Sequence, residues 1–507
     1  MQTVRSLKDF SRYTKGVLSI RDIYALNANL HYLGIDERLL AENAGSGIAH
    51  ALRSHWGKKL LFVCGTGGKG AIGLCAARHM LDHADVSVVL ARGEEPITND
   101  ATSFNYKLLN SLMPVQDIDE NGVARLSGLV KSADVVVDAL VGLGLKGRLS
   151  KFLGEVIKVV NGGKHIISIE VPAGINADTG MPNTVSIKAD ELFSIYKNKT
   201  SCQCKRPGCR TTIIDVGIPA ATELIAGPGD VALATEPRSI RANKYDTGAV
   251  LVVGGSKEYH GAPLLSAFAA LRTGSGYVTL AAPRSAAIKL KEESPNLAVR
   301  VLPNETITPD DIPTICGIRH DSVTMGSGMS ASKESLSTIL ELIRHCNAPM
   351  VLDAAALRAA ALDKSVLNRR MVLTPHEGEF EALTGIKLDD SPLHERIRTA
   401  IKFASTYKCT LVLKGNATVV TDGKLLKINR AATPVLATMG TGDALSGMIA
   451  SYLSRHENVF ECAVAAVHAH AKIGDLLSLQ KGMHITAADV VDAIPDVLKM
   501  FDVVKYE

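Results

Sequence analysis

Short runs of β-branched and aliphatic residues punctuate the chain from Lys58 to Ile218: "LLFV" (60–63), "VSVVLA" (86–91), "DVVVDALV" (134–141), "HIISIEV" (165–171) and "TTIIDVGI" (211–218). Between them lie segments of helical period, and this alternation predicts βα units and a mostly parallel sheet. Ahead of the first run, in residues 19–52, apolar residues recur at three and four, which predicts a helical pair packed on that sheet. The pattern breaks at "AATELIAGPGDVALATEPRS" (220–239), rich in glycine, proline and small polar residues. A second series follows: "AVLVV", "YVTLA", "SVTMG", "PMVL", "RMVLT", "CTLVL" and "ATVVT", separated by alanine-rich helical segments. The expected boundary lies near residues 222–240, giving two tandem α/β domains over residues 1–225 and 236–507. No fixed-period repeat or low-complexity tail interrupts this plan.

Bulk properties narrow the class without choosing the chemistry. At 507 residues, 46% hydrophobic and 21% charged, the chain has ample material for large cores. A formal net charge of +4 with no long basic block argues against a dedicated nucleic-acid binder. No apolar run reaches the roughly 18 residues of a membrane span, and "MQTVRSLKDFSRYTKG" lacks a secretory signal's apolar core. Nine scattered cysteines suit a reducing compartment, so a cytoplasmic location is expected.

"ATMGTGDALSGMIASYL" (437–453) puts Gly440, Thr441, Gly442 and Asp443 at the mouth of an apolar helix. Such a helix start offers unpaired N–H groups and a positive dipole end to an anion. Asp443 alone also reads as a helix cap; its company adds chemistry. Upstream lie "GGSKEYHGAP", "TMGSGMS", "VLDAAAL", "VLTPHEGEFEALTG" and "LVLKGNATVV", each a strand end followed by glycine or a polar cluster. In open parallel sheets those ends meet on one edge, where ligands bind. In this order the pieces resemble the ADP- or ATP-dependent NAD(P)H-hydrate dehydratases, a branch of the ribokinase-like superfamily, over residues 243–502. The resemblance implies a ribokinase-like α/β/α domain that phosphorylates the hydroxyl of hydrated NADH or NADPH and eliminates phosphate. It makes Asp443 the base, with Thr441 and Gly442 in the anion hole. Lys414, Gly415, Asn416, Ala417 and Thr418 match the nucleotide-binding strand and turn, and Ala262, Gly328 and His376 match positions lining the hydrated nucleotide. Asp353 matches the first acid of the family's "VLDADAL", but the second is Ala355 here. ADP or ATP is the implied cosubstrate, with Mg2+ expected on its phosphates. His470 in "HAHAKIGDLL" also fits the pattern, with helix packing as its expected role.

"CGTGGKGAIG" (64–73) sets five glycines and Lys69 between a predicted strand and helix. It is not a P-loop, because Lys69 is followed by Gly70 and no hydroxyl for magnesium. Together with "AENAG" (41–45), "DALVGLGLKGRL" (138–149) and "IEVPAGINADTG" (169–180), it resembles the NAD(P)H-hydrate epimerases over residues 15–220. That implies a Rossmann-like three-layer domain interconverting the two hydrate epimers, with the two activities fused in one chain. The substrate-binding residues implied are Gly68, Lys69, Gly70, Ala71, Ile72, Gly142, Leu143, Gly144, Leu145, Lys146, Gly147, Arg148 and Glu170. Where the family reads G-P-G-N-N-G-G-D-G, this chain has Gly68 and Lys69 at the asparagines and Ile72 at the aspartate. The family's potassium ion would involve Asp138, but Lys69 and Ala173 replace two of its ligands. An ammonium resembles potassium in size and charge and carries its own tether. Lys69 is therefore expected to fill the cation site and pair with Asp138; the alternative is a surface loop lysine. Glu170 stands where the family has the aspartate of "DIPSG" and remains the candidate general base or acid, unless the altered loop leaves the domain binding nucleotide without turnover.

The partners expected are thus small molecules, NADHX or NADPHX, with no membrane or nucleic acid, in a homo-oligomer. Cys202, Cys204 and Cys209 lie within eight positions and read as a reduced surface loop rather than a zinc site. A rival reading is a small-molecule hydroxyl kinase whose N-terminal domain is a nucleotide-binding or scaffold module.

Overall fold

The computed structural model describes residues 4–93, 96–145, 147–200, 208–293, 295–430 and 433–506. Two compact units form, one spanning Lys15–Pro219 and the other joining the first fourteen residues to Ala220–Glu507. In the first, strands β1 (Lys59–Cys64), β2 (Asp85–Ala91), β3 (Gln116–Ile118), β4 (Val135–Ala139), β5 (Ile166–Ile169), β6 (Glu191–Ile195) and β7 (Arg210–Ile214) pair in the order β3-β2-β1-β4-β5-β6-β7. Every pairing is parallel. The predicted helical pair is α1 (Ile20–Tyr32), begun by a Ser19–Asp22 capping box, and α2 (Glu37–Ala51), capped by Asp36. Alternate residues of β1 feed opposite cores. Leu60 and Phe62 pack with Ile48, Leu74 and Met80, while Leu61 and Val63 pack with Leu126, Val156 and Ile157. Burial on both faces explains why these strands read as unbroken apolar runs.

Strand order reverses between β1 and β4, the switch point that opens a crevice at the carboxyl ends of a doubly wound sheet. The chain turns from β1 directly into α3 (Gly68–His79), so Lys69 sits in the first helical turn rather than in a loop. A Cβ on Gly70 would fall 1.9 Å from the Gly65 carbonyl oxygen, which is why the turn requires glycine there.

The second unit holds a nine-stranded sheet. Its strands are β8 (Ala249–Val253), β9 (Tyr277–Ala282), β10 (Ala298–Val301), β11 (Ser322–Met325), β12 (Met350–Leu352), β13 (Met371–Leu373), β14 (Thr410–Leu413), β15 (Thr418–Thr421) and β16 (Leu426–Asn429). They run in the order β10-β9-β8-β11-β12-β13-β14-β15-β16, parallel through β14 and antiparallel beyond. Helices Lys333–His345, Ala355–Leu362 and Leu393–Tyr407 cover one face; α4 (Gly261–Arg272), α5 (Thr441–Leu453) and Val459–Lys481 cover the other. Among the described residues no helix is long and apolar enough to cross a membrane.

The division of contacts falls at Pro219–Ala220, earlier than the sequence suggests, and the first residues depart from the N-terminal half altogether. Leu7 and Phe10 share a core with Ala221, Leu224 and Ile225, and the Ala226 N–H donates to the Ile428 carbonyl at 3.0 Å. Glycine and proline around 227–229 marked a break in periodicity, but the buried aliphatics before it belong to the following sheet. Strands β3, β6, β10 and β16 were not anticipated; "ELFSI" and "LKIN" mix polar residues into short runs. Cys209 is disulfide-bonded, which corrects the expected reduced loop, and Cys202 and Cys204 lie outside the described residues.

Helices α4 and α5 touch backbone to backbone: a Cβ on Gly447 would lie 2.0 Å from the Ser266 carbonyl oxygen. Gly447→Ala must push the pair apart and is expected to cost about 1–3 kcal/mol, measured as a lower urea midpoint of this unit's unfolding transition.

Candidate active sites

In the first unit Lys69 and Asp138 meet at the switch point. Lys69 Nζ donates to Asp138 Oδ2 at 2.8 Å and to the Val171 carbonyl at 2.7 Å, with the Val141 carbonyl at 3.4 Å. Both side chains are buried, 3% and 0% exposed. Burial pulls the Lys69 pKa down, and Asp138 opposes it. Carbonyls only accept, so three oxygens around one nitrogen call for the three N–H bonds of the ammonium. Asp138 is filled from its other sides as well. Its Oδ2 accepts from Ser168 Oγ at 2.7 Å and from the Ala173 N–H at 2.9 Å, and its Oδ1 accepts from the Leu140 N–H at 3.1 Å.

Beside this pair lies a cavity of about 610 Å³. Of the implied substrate residues, Gly68, Lys69, Ala71, Ile72, Arg148, Glu170 and residues 142–145 line it. Gly70 packs behind, against Gly65; Gly147 is not in the lining, and Lys146 lies outside the described residues. Glu170, just past β5, is held at φ 61°, a costly conformation for a residue with a Cβ, by its N–H bond to the Phe193 carbonyl at 2.7 Å. Lys199 was not singled out in the sequence. Its side chain is 2% exposed, lines the same cavity and places Nζ 3.7 Å from Glu170 Oε1. Its segment carries no motif; only the fold brings it under Glu170.

In the second unit the carboxyl ends of β11, β12, β13 and β14 deliver Gly328, Asp353, His376 with Glu379, and Lys414, facing the amino end of α5. Lys414 Nζ lies 3.6 Å from Asp353 Oδ1 and 3.8 Å from Glu379 Oε2. Burial works against the Lys414 ammonium, but Asp353, Glu379 and Asp443 outweigh it and raise its pKa. Asp443 goes the other way. Burial first, then the charge of Asp353, push its carboxyl up to about 6, against a hydrogen bond from Ser327 and the charge of Lys414. Gly440 turns the chain into α5 at φ 92°; the Thr441 N–H donates to the Thr438 carbonyl at 3.3 Å, the Gly442 N–H stands at the helix mouth, and a Cβ on Gly442 would sit 3.3 Å from Lys414 Nζ. Ser266 Oγ, donating to the Asp443 carbonyl at 2.8 Å, ties α5 to α4, whose second residue is Ala262.

His376 caps the helix Glu377–Thr384: its Nδ1 accepts from the Gly378 and Glu379 N–H groups at 3.1 and 3.3 Å. That leaves Nε2 to carry the proton, 3.4 Å from Glu379 Oε2. The turn Gly415, Asn416, Ala417 is shaped by buried Arg396, which donates to the Lys414 carbonyl at 3.2 Å and would be struck by any Cβ at Gly415. Ala355 is buried in the core, so a carboxylate there has no counterpart. His470 is buried with its pKa lowered to about 4 by desolvation, a neutral packing histidine in the helix beside α5.

Both units are similar to known proteins. The NAD(P)H-hydrate dehydratase family model matches residues 250–496, and the model for the YjeF-related protein N-terminus matches residues 37–201. The bifunctional NAD(P)H-hydrate repair enzyme Nnr of Hyperthermus butylicus is 33% identical over 96% of this chain and 92% of its own length. That of Archaeoglobus fulgidus is 34% identical over 95% and 98%. The chain belongs to the bifunctional NAD(P)H-hydrate repair enzymes. Among solved structures, the ADP/ATP-dependent NAD(P)H-hydrate dehydratase of Bacillus subtilis, co-crystallized with ATP/Mg2+, matches 54% of this repair enzyme and 96% of its own chain at 24% identity, with a TM-score of 0.46.

If Asp443 acts as a base, turnover needs it ionised. The sign follows from the raised pKa: kcat/KM of the nucleotide-dependent reaction should fall as pH drops through about 6. Because Asp353 raises and Lys414 lowers that pKa, Asp353→Asn should move the acid limb down and Lys414→Met up. The pH profiles of kcat/KM decide this; a limb that stays in place in both variants assigns the titration to another group.

Proposed function

We propose that the second unit of this repair enzyme dehydrates NADHX or NADPHX at the expense of ADP or ATP, and that the first unit interconverts the hydrate epimers. The observation that carries the reading is Asp443, a buried carboxyl pushed up to about 6 by burial and Asp353, at a helix amino end beside Lys414. Asp443 takes the hydroxyl proton as that oxygen attacks the terminal phosphoryl group; the O–P bond forms while the bond to the departing nucleotide breaks. The Gly442 N–H and the Lys414 ammonium hold the transferred charge, joined by the Thr441 N–H once it turns from the Thr438 carbonyl. Phosphate then leaves with the C–O bonding pair, and a proton lost from the neighbouring ring carbon restores the ring double bond. Ala262, Gly328 and His376 are the proposed contacts to the hydrated nucleotide, and residues 414–418 those to ADP or ATP. Asp353 and Glu379 suit Mg2+, a hard cation that keeps waters and nucleotide phosphates as its other ligands; Ala355 adds nothing.

In the first unit Glu170 moves the proton at the reacting ring carbon, with the Lys199 ammonium 3.7 Å from its Oε1. The donor set around Asp138 does not fit potassium: Lys69, Ser168, Leu140 and Ala173 already fill it. The epimerase activity is therefore expected to ignore added potassium, whereas Lys69→Asn should slow it and make the remainder rise with potassium concentration. A wild-type enzyme activated by potassium overturns this assignment.

The deciding experiment follows recovery of reduced-nicotinamide absorbance from the S epimer of NADHX with ADP or ATP, then from the R epimer. Recovery from both, above the spontaneous rate, supports the full reading. Recovery from S alone removes epimerase activity from the first unit, and a stable phosphorylated product without recovery replaces the dehydratase by a kinase.

A further inference from the structure

Among the described residues, two groups of three metal-capable side chains converge, both in the first unit. In the group of Glu42, Cys75 and His79 the chain supplies its own cation. Arg78 Nη2 lies 2.5 Å from Glu42 Oε2 and 2.6 Å from Glu42 Oε1, and His79 Nε2 is 2.8 Å from Glu42 Oε1. The group of His55, His165 and Glu191 is different. One ligand atom from each lies within 4.8 Å of the others, and His55, only 9% exposed, buries an Nδ1 that has no hydrogen-bond partner. An unpaired buried ring nitrogen is costly and asks for an occupant.

We propose that His55, His165 and Glu191 form a site for a divalent cation of the zinc class. Two imidazoles and one carboxylate are the ligand set of a three-protein-ligand zinc centre, with water in the fourth position. Zn–N and Zn–O bonds of about 2.0–2.2 Å put tetrahedral ligand atoms roughly 3.4 Å apart. His165 Nε2 and Glu191 Oε1 already stand 3.1 Å apart, close to that spacing. Asp190 Oδ2 lies 3.6 Å from the other ring nitrogen of His165, beyond hydrogen-bond distance but near enough to receive it when the ring settles on the metal. Arg210 Nη2 sits 3.1 Å from Glu191 Oε1 on a side chain 78% exposed, free to swing away as the cation enters.

The site lies at the amino ends of β5 and β6, the edge opposite the Glu170 crevice, and it would clip the turn Leu52–His55 to both strands. Its effect should therefore be on stability. Co2+ added to EDTA-treated full-length enzyme is expected to give a visible tetrahedral absorption saturating at one equivalent, bleached by Zn2+, and Zn2+ should raise the melting temperature. Cys75→Ser should retain all three effects, and His55→Leu and Glu191→Gln should abolish them. Asp190→Asn should weaken binding on the order of 10- to 100-fold. A wild-type enzyme with neither a visible band nor a melting shift, or loss of binding in Cys75→Ser, overturns the proposal. Should the His55 and Glu191 variants fail to fold, the wild-type and Cys75→Ser titrations still decide.

Discussion

Parallel strands covered on both faces leave one place for chemistry. Within β1 and β4, or β11 through β14, backbone groups are consumed by the ladder and side chains by the two cores. Polar groups that are not consumed collect where the ladder stops, and in each unit that is the carboxyl edge, where helix amino ends also point. Asp138 is the last polar residue of β4; Asp353, Glu379 and Lys414 follow the ends of β12, β13 and β14. The placement of both candidate sites follows from that packing before any particular residue is considered.

The two edges then treat buried charge in opposite ways. Around Asp138 every oxygen is met by a donor, and Lys69 is met by three acceptors, so the pair is electrostatically closed and holds three chain segments in register. Removing one partner of such a pair typically costs about 3–5 kcal/mol, because the other charge stays buried and unpaired. Around Asp443 the balance is left open. Lys414 is shared with Asp353 and Glu379, and the carboxyl closest to the helix mouth is the one pushed up to about 6. The closed arrangement builds a scaffold; the open one leaves a carboxyl that can take up a proton within about a pH unit of 6.

Much of this was legible in the sequence, because motif residues at strand ends are spaced by the period of the fold. The βα alternation, the helical pair and the Lys69–Asp138 pairing could all be read from local pattern together with a family resemblance. What escaped was long-range. Arg396 shapes the turn at Gly415–Ala417 from the preceding helix, and Lys199 reaches Glu170 only because β6 lies beside β5. The boundary was misplaced for a related reason: Ala221, Leu224 and Ile225 look like linker until Leu7, Phe10 and Ile428 close over them.

The departures from the family pattern in the first unit form one set rather than scattered losses. Once a tethered ammonium stands beside Asp138, no separate ion is left for a ligand at position 173 to hold, and Ala173 contributes only its N–H to Asp138. With Lys69 fixed on Asp138 and the Val171 carbonyl, the segment carrying Glu170 is anchored on its far side at a residue whose φ of 61° needs such support. The extra methylene of Glu170, relative to aspartate, lets the carboxylate extend into the cavity toward Lys199 while its backbone stays pinned to Phe193. Each substitution is intelligible only with the others in place, so an activity lost by reverting one of them need not return until its neighbours are reverted too.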